Sequence, residues 1–463
     1  MKFPLLWVVA LFGSASCVAI PPVPTRDPVR IAMRTKDLVE PNLAAACRRY
    51  AAGFTERRTM LACGKWMFFY ETFGTGGVPS ALPRMLLRAF PDEIGNGFEK
   101  LGMIEDPSSH EHLPFGMAQG KMIGLTTSIA YSCASCHVAR LPDGRVAVGA
   151  PNHRYEYGHQ ILAMTVFPFI ATGGPKGHDE KAVAVIQPML DRLKANPRIW
   201  AKLGASLMSA MGSFEFPVMP AVVENQYATW PPGTQDFVIQ PLPVDDKIEV
   251  VGKIPALFDL PRDEEIKKSG MVHAMYGWSG NANSLFTFMQ GFIAVGGGDP
   301  KRWPEKKLRP LFEYLYSLTA PTNPRPPPRS MVVVGKQLFA QKGCTSCHDG
   351  PRHGGKRIYQ LDEVGTDEQL ARWLDIENKG VPCCDVKLAD PLTRGVKSPR
   401  LNALWAQSRF LHNGSLSSLE ELFCLRPRPT ALGPPLSSGG HLQTCHDLTI
   451  AERQALIDYL RSL

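Results

Sequence analysis

The chain ends on its clearest periodic pattern. Leu456, Leu460 and Leu463 fall at i, i+4 and i+7, the spacing that turns one helical face inward. Thr449 and Glu452 precede them as a capping box, in which the side chains at the helix start satisfy its orphan amides. Similar periodicity predicts helices over 182–195, 198–211, 284–295, 306–318 and 334–341. A kink is expected at Pro188, which has no amide hydrogen to give. Convincing alternation of the kind a strand needs is scarce, so the expected class is mostly α.

Pattern also divides the chain. Ala320-Pro321-Thr322-Asn323-Pro324-Arg325-Pro326-Pro327-Pro328 cannot hold a helix, because proline fixes φ and lacks a donor, and it reads as an extended linker. Glu313-Tyr314-Leu315-Tyr316-Ser317-Leu318 before the linker echoes the terminal Asp458-Tyr459-Leu460-Arg461-Ser462-Leu463. Each echo closes a segment holding one Cys-x-x-Cys-His. The expected organisation is a signal peptide over 1–19, an N-terminal helical extension over 20–114, a first module over 115–320, a linker over 321–329 and a second module over 330–463.

Composition adds modest constraints. Hydrophobic residues make up 44% and charged residues 20% of the 463, enough apolar material for real cores. The 41 glycines and 41 prolines imply long loops. Lys2, the apolar run Phe3–Phe12 and the small residues Gly13 to Ser16 read as an export signal, with Cys17 as a candidate lipid anchor. Beyond it no stretch approaches a membrane span. The expected location is therefore periplasmic or secreted. The net charge of +8 suits an acidic redox partner or simple solubility, and no Lys/Arg cluster argues for nucleic acid.

Two motifs carry chemistry. Cys133-Ala134-Ser135-Cys136-His137 and Cys344-Thr345-Ser346-Cys347-His348 both fit C-x-x-C-H, the pattern of covalent haem attachment. Thiols three residues apart on one turn reach the two vinyl groups of one porphyrin, and the next residue offers its imidazole to the iron. With 11 Cys and 12 His in the chain, random placement gives roughly 0.007 such matches. Zinc and a redox dithiol are the alternatives. Zinc sites usually pair well-separated ligands rather than a His abutting the second Cys. The expected cofactors are two covalently bound haem c groups. Of the other cysteines, Cys47 with Cys63 and Cys424 with Cys445 are the local disulfide candidates, and Cys383 and Cys384 have no assigned partner.

Around these motifs the chain resembles a known group. Ser398-Pro399-Arg400-Leu401-Asn402-Ala403-Leu404-Trp405, then Phe410-Leu411-His412-Asn413-Gly414-Ser415, then Leu419-Glu420-Glu421-Leu422 is similar to the signature of bacterial di-haem cytochrome c peroxidases and their relatives. The LHNGS form, Gly440-His441 before the terminal helix, Gly277-Trp278-Ser279-Gly280-Asn281-Ala282-Asn283-Ser284 and Val148-Gly149-Ala150-Pro151-Asn152 are more like the di-haem rubber oxygenase branch. The chain is shorter than those oxygenases. No Met follows His412, so the peroxidases' Met ligand has no counterpart.

The resemblance implies two fused cytochrome c-like modules. It implies His441 as distal ligand of the second haem, with His446 the neighbouring alternative. It places His412 near the haems, Trp278 beside the first haem and Phe292 in that haem's distal pocket. His153, His159 and His273 are further candidates to cap the first iron. Arg140 and Arg352, near the motifs, are either propionate partners or exposed charges. The implied function is an oxidoreductase in which the first haem activates O₂ or H₂O₂ and the second transfers electrons with a redox donor or acceptor protein. The other function classes are a non-catalytic di-haem electron carrier and a relative that only docks to a redox complex. An exchangeable axial position separates the first class from the rest.

Overall fold

Four of the described helices, those starting at Glu180, Leu285, Leu419 and Ile450, begin on a side-chain cap. Ser284 Oγ accepts the Thr287 amide at 3.0 Å ahead of the Leu285–Val295 helix, and Thr449 and Glu452 form the capping box of the Ile450–Ser462 helix. The computed structural model describes residues 32–40, 42–123, 126–174, 176–201, 219–236, 251–271, 275–280, 282–368, 395–430 and 436–463. The export segment, Cys17, His273, Cys383, Cys384 and the 198–211 helix beyond position 201 lie outside them. Helices dominate and strands are short, in two- and three-stranded sheets, so the fold is mostly α. The expected helices appear as Glu180–Ala195, which continues through Pro188, and as Leu285–Val295, Glu305–Leu315 and Arg329–Gln341. No described helix is long and apolar enough to cross a membrane.

Apolar burial follows the division at the linker. Two large cores lie almost wholly before it; one gathers Phe68, Phe69, Ala134, Val138, Leu311 and Tyr314. A separate core gathers Phe339, Leu404, Phe410, Phe423, Leu456 and Tyr459 after it. A small cluster with Phe258, Ala139 and Ala403 joins the two units. Arg400 reinforces that junction by donating to the carbonyls of Phe258 (3.3 Å) and Ala256 (3.1 Å), and Trp405 donates to Pro321 O at 3.0 Å.

The terminal echo has a three-dimensional counterpart. In the second unit the Arg329–Gln341 helix crosses Ile450–Ser462 at Gly335, where an added Cβ would stand 2.0 Å from Ala455 O. Phe339 then meets Tyr459 edge-on at 5.4 Å. In the first unit the Arg57–Tyr70 helix crosses Glu305–Leu315 at Gly64, where a Cβ would stand 2.0 Å from Pro310 O, and Phe68 meets Tyr314 edge-on at 5.7 Å. Gly-x-x-x-Phe on an opening helix and Tyr on a closing one therefore recur. Only glycine permits this approach, because any side chain would enter the partner backbone. The 57–70 segment, expected in an N-terminal extension, thus shares the core of the first unit and supplies its opening helix.

Candidate functional site

A hairpin that the sequence pattern did not announce delivers the first motif. Strand Met117–Ile123 pairs antiparallel with Thr126–Tyr131, and the chain turns at Ser132 into the one-turn helix Cys133–His137. Ser132 Oγ donates to Phe69 O at 2.7 Å, which pins the turn to the end of the Arg57–Tyr70 helix. Burial pushes the Cys133 and Cys136 thiols up to about 12, so both are neutral at ordinary pH. Cys136 Sγ lies 3.0 Å from Gln235 Oε1. Burial lowers His137 to about 4, against the opposing pull of the Pro255 carbonyl, and its Nδ1 has no hydrogen-bond partner meeting the usual geometry.

The second motif follows the Arg329–Gln341 helix. Gly343, at φ 76°, makes the left-handed turn into Cys344–Ser346. Tyr359 Oη donates to the carbonyls of Ser346 (3.1 Å) and Cys347 (3.2 Å). His348 Nδ1 bonds His353 O at 2.8 Å, which fixes the tautomer with the proton on Nδ1. Burial, first of all, holds His348 below its ordinary value.

The His441 ring faces His348 with centroids 6.5 Å apart and planes tilted by 36°. A metal held at ~2 Å by one nitrogen of each ring spaces the ring centres by about 6.3 Å. His441 Nδ1 is buried without a partner, and burial lowers the imidazole to about 4, with His348 and Arg428 adding to the effect. His446 instead ends the short Gln443–His446 turn on the exposed surface.

The loop bearing His441 is tied down on several sides. Arg428 donates to the carbonyls of Ser438 (2.7 Å), Gly440 (2.8 Å), Leu422 (2.7 Å) and Glu421 (3.2 Å). Thr444 Oγ1 reaches His441 O at 2.6 Å, and Cys424–Cys445 forms a disulfide. Arg428→Ala should raise amide exchange over 437–445 by roughly 10- to 100-fold while the Ile450–Ser462 helix keeps its protection. Equal exchange in both proteins would deny Arg428 this role.

Both expected disulfides are present, Cys47–Cys63 and Cys424–Cys445, and the described cysteines left free are the four motif thiols. Among the described residues, no three or more His, Cys, Asp or Glu side chains converge as ligands for a bare metal ion.

Other expected site residues fall in varied places. His153 bonds Ile254 O at 3.0 Å through Nε2 and accepts the Ser408 amide at 3.1 Å through Nδ1. His159 is 3.3 Å from Ala228 O and 3.6 Å from Glu156. Both rings are engaged by these partners, and His153 also lies near enough to His137 to sense it. His412 is buried, with Nδ1 3.2 Å from Thr366 Oγ1 and Nε2 3.2 Å from Asp367 Oδ1, and its carbonyl accepts the Lys253 amide at 2.7 Å. It braces the junction between the units. Phe292 packs, half-buried, on the core that also receives Cys133. Arg140 caps the Gly144 carbonyl at 3.3 Å and Arg352 pairs with Glu265 at 2.8 Å, both exposed.

Trp278 stands at the junction itself. Its Nε1 donates to Lys253 O, and its own carbonyl accepts the Lys397 amide, each at 3.0 Å. Neither lysine was singled out from the sequence, and nor were Gln235 or Arg428. For Gln235 and Arg428 the neighbouring residues carry no signal of this role.

Comparison with models of known protein families and with curated proteins finds no match for this chain. The haem that the motifs imply is therefore tested against the residues alone. Two free thiols, a tautomer-fixed His348 and an opposed His441 fit such a group in the second unit. The first unit offers the same thiol pair with His137.

Proposed function

We propose that this chain is an exported di-haem c-type cytochrome acting as an oxidoreductase, akin to the di-haem peroxidase and rubber oxygenase superfamily. The opposed His348 and His441 rings carry the reading, because bis-imidazole spacing beside two free thiols has no use in an ordinary loop. Supporting it are the recurring Gly-x-x-x-Phe and Tyr helix crossing and the exclusion of all four motif thiols from disulfides.

A covalent haem supplies one-electron chemistry and, where an axial position stays exchangeable, activation of O₂ or peroxide. Cys344, Cys347, His348 and His441 would hold the second group, a ligand set that would suit electron transfer. Cys133, Cys136 and His137 would hold the first. His153 and His159 are bonded elsewhere, which favours an exchangeable position opposite His137 and hence the oxidant-activating role for this site. Trp278, backbone-linked to both units, and Phe292 would flank that site, while His412 holds the junction closed. A redox protein would serve as electron partner.

Intact mass and a pyridine haemochrome spectrum of the exported protein should give two covalent haems per chain. The fully reduced protein should bind carbon monoxide at about one of the two. A chain without haem would overturn the proposal, and two haems that both refuse carbon monoxide would leave an electron carrier.

A further inference from the structure

The chain buries two kinds of lysine. Lys65 is fully buried but meets Glu40 at 2.9 Å, the normal way to keep an ammonium inside a protein. Lys253 is only 7% exposed, and its ammonium has no hydrogen bond or ion pair among the described residues. It lies over the faces of Trp278 (5.3 Å) and Phe410 (5.9 Å). Lys397, half-buried on the strand Gly395–Lys397, is likewise without a carboxylate partner among the described residues.

The lysines at this corner meet positive charge, while its carboxylates bear on arginines instead, Asp259 on Arg400 and Glu156 with Glu421 on Arg409. His153 senses Lys253 and Arg409, and Lys397 senses Arg400. Burial pushes Lys253 down to about 8. Lys397 falls to about 7, from burial first and Arg400 second. Cation–π contact offsets only part of the cost of burying an ammonium. A group of opposite charge would balance both ammoniums.

Position identifies the group. Lys253-Ile254-Pro255 and Lys397-Ser398-Pro399 each leave a short strand, Val251–Lys253 and Gly395–Lys397. In each unit the proline carbonyl bears on the motif histidine, Pro255 on His137 and Pro399 on His348. The same Lys-x-Pro therefore occurs once per unit beside each C-x-x-C-H, and the two lysine backbones clasp Trp278 between them.

We propose that Lys253 and Lys397 are paired carboxylate-binding residues, each gripping a propionate of the haem in its own unit, so that the cofactors lock the two units around Trp278. This rests on the di-haem reading.

The test uses the full-length haem-loaded protein, with Lys253→Met and Lys397→Met made separately. Redox titration of both haems and thermal melting are the readouts. Losing a nearby cation disfavours the reduced iron. Each variant should therefore lower the midpoint of one haem, a different one for each lysine, by about tenfold in the reduction constant, or ~59 mV for one electron. Each should also melt lower than the parent. Lys253→Arg keeps the charge, and should keep the parent midpoint even if Lys253→Met folds poorly.

A higher melting temperature with unmoved midpoints would mean an unpaired ammonium had been removed, and would overturn the proposal. A parent melting temperature that climbs with added acetate or phosphate, and stays flat in Lys253→Met, would put a free anion there instead and overturn the propionate assignment. A parent without haem overturns the functional reading and this inference together, before any variant is made.

Discussion

Alanine at position 441 should open the second haem site, raising carbon monoxide uptake by the reduced protein from about one to about two per chain. The imidazole that faces His348 at 6.5 Å disappears, and among the described residues nothing beside it along the chain can take its place. Leu442 offers no donor, Thr444 spends its hydroxyl on Leu422 O and His441 O, and His446 points to solvent from the end of its turn. The fold should tolerate the change. Arg428 grips the loop through carbonyls at 438 and 440, and Cys424–Cys445 fixes its far side, so neither anchor uses the 441 ring. Low-spin signals of the second haem should vanish while the spectrum of the first stays as in the parent. Unchanged uptake would remove His441 from the ligand set.

Replacing Lys65 with methionine should cost about 3–5 kcal/mol, the usual penalty for leaving one charge of a buried pair without its partner. The Lys65 and Glu40 side chains are 0% and 2% exposed, and Glu40 Oε2 is buried without a partner even in the intact protein. The carboxylate would then have nothing to balance it. Its helix, Arg57–Tyr70, is also the opening helix of the first unit, so the loss falls on a central crossing. A urea series should show an earlier midpoint at nearly constant slope. Pairing the change with Glu40→Gln should recover most of the loss, since removing both charges of a buried pair is often close to neutral. If the single variant is as stable as the parent, the ion pair is not what holds Glu40 there.

How much of this was legible in the sequence depends on the range of each signal. The Cys and His of both motifs could be read directly, because their spacing is itself the attachment chemistry. Thr449 and Glu452 announced the last helix, and Cys47 with Cys63 and Cys424 with Cys445 were found by nearness along the chain. The features missed were those that depend on a distant neighbour. Gly64 looks like any glycine until Pro310 O arrives beside it, so residues 57–70 read as an extension rather than as part of the first unit. The strands Met117–Ile123 and Thr126–Tyr131 carry Gly, Gln, Lys, Thr and Ser, which blur the period of two. A lysine gives no warning that it is buried, and Lys253 and Lys397 carried no expectation.

The repeated helix crossing has a consequence for how the chain can be made. The first unit closes only when position 314 reaches position 64, the second when 459 reaches 335, about half that span. Doubling a loop adds only ~0.6 kcal/mol of closure entropy, so both closures are thermodynamically affordable, but the longer one is slower. A chain emerging from its amino end therefore presents Cys133 and Cys136 well before the Glu305–Leu315 helix exists to seal the unit around them. Attachment machinery would meet the first motif in an unfinished fold, and a product cut short before residue 305 would carry both thiols yet never close.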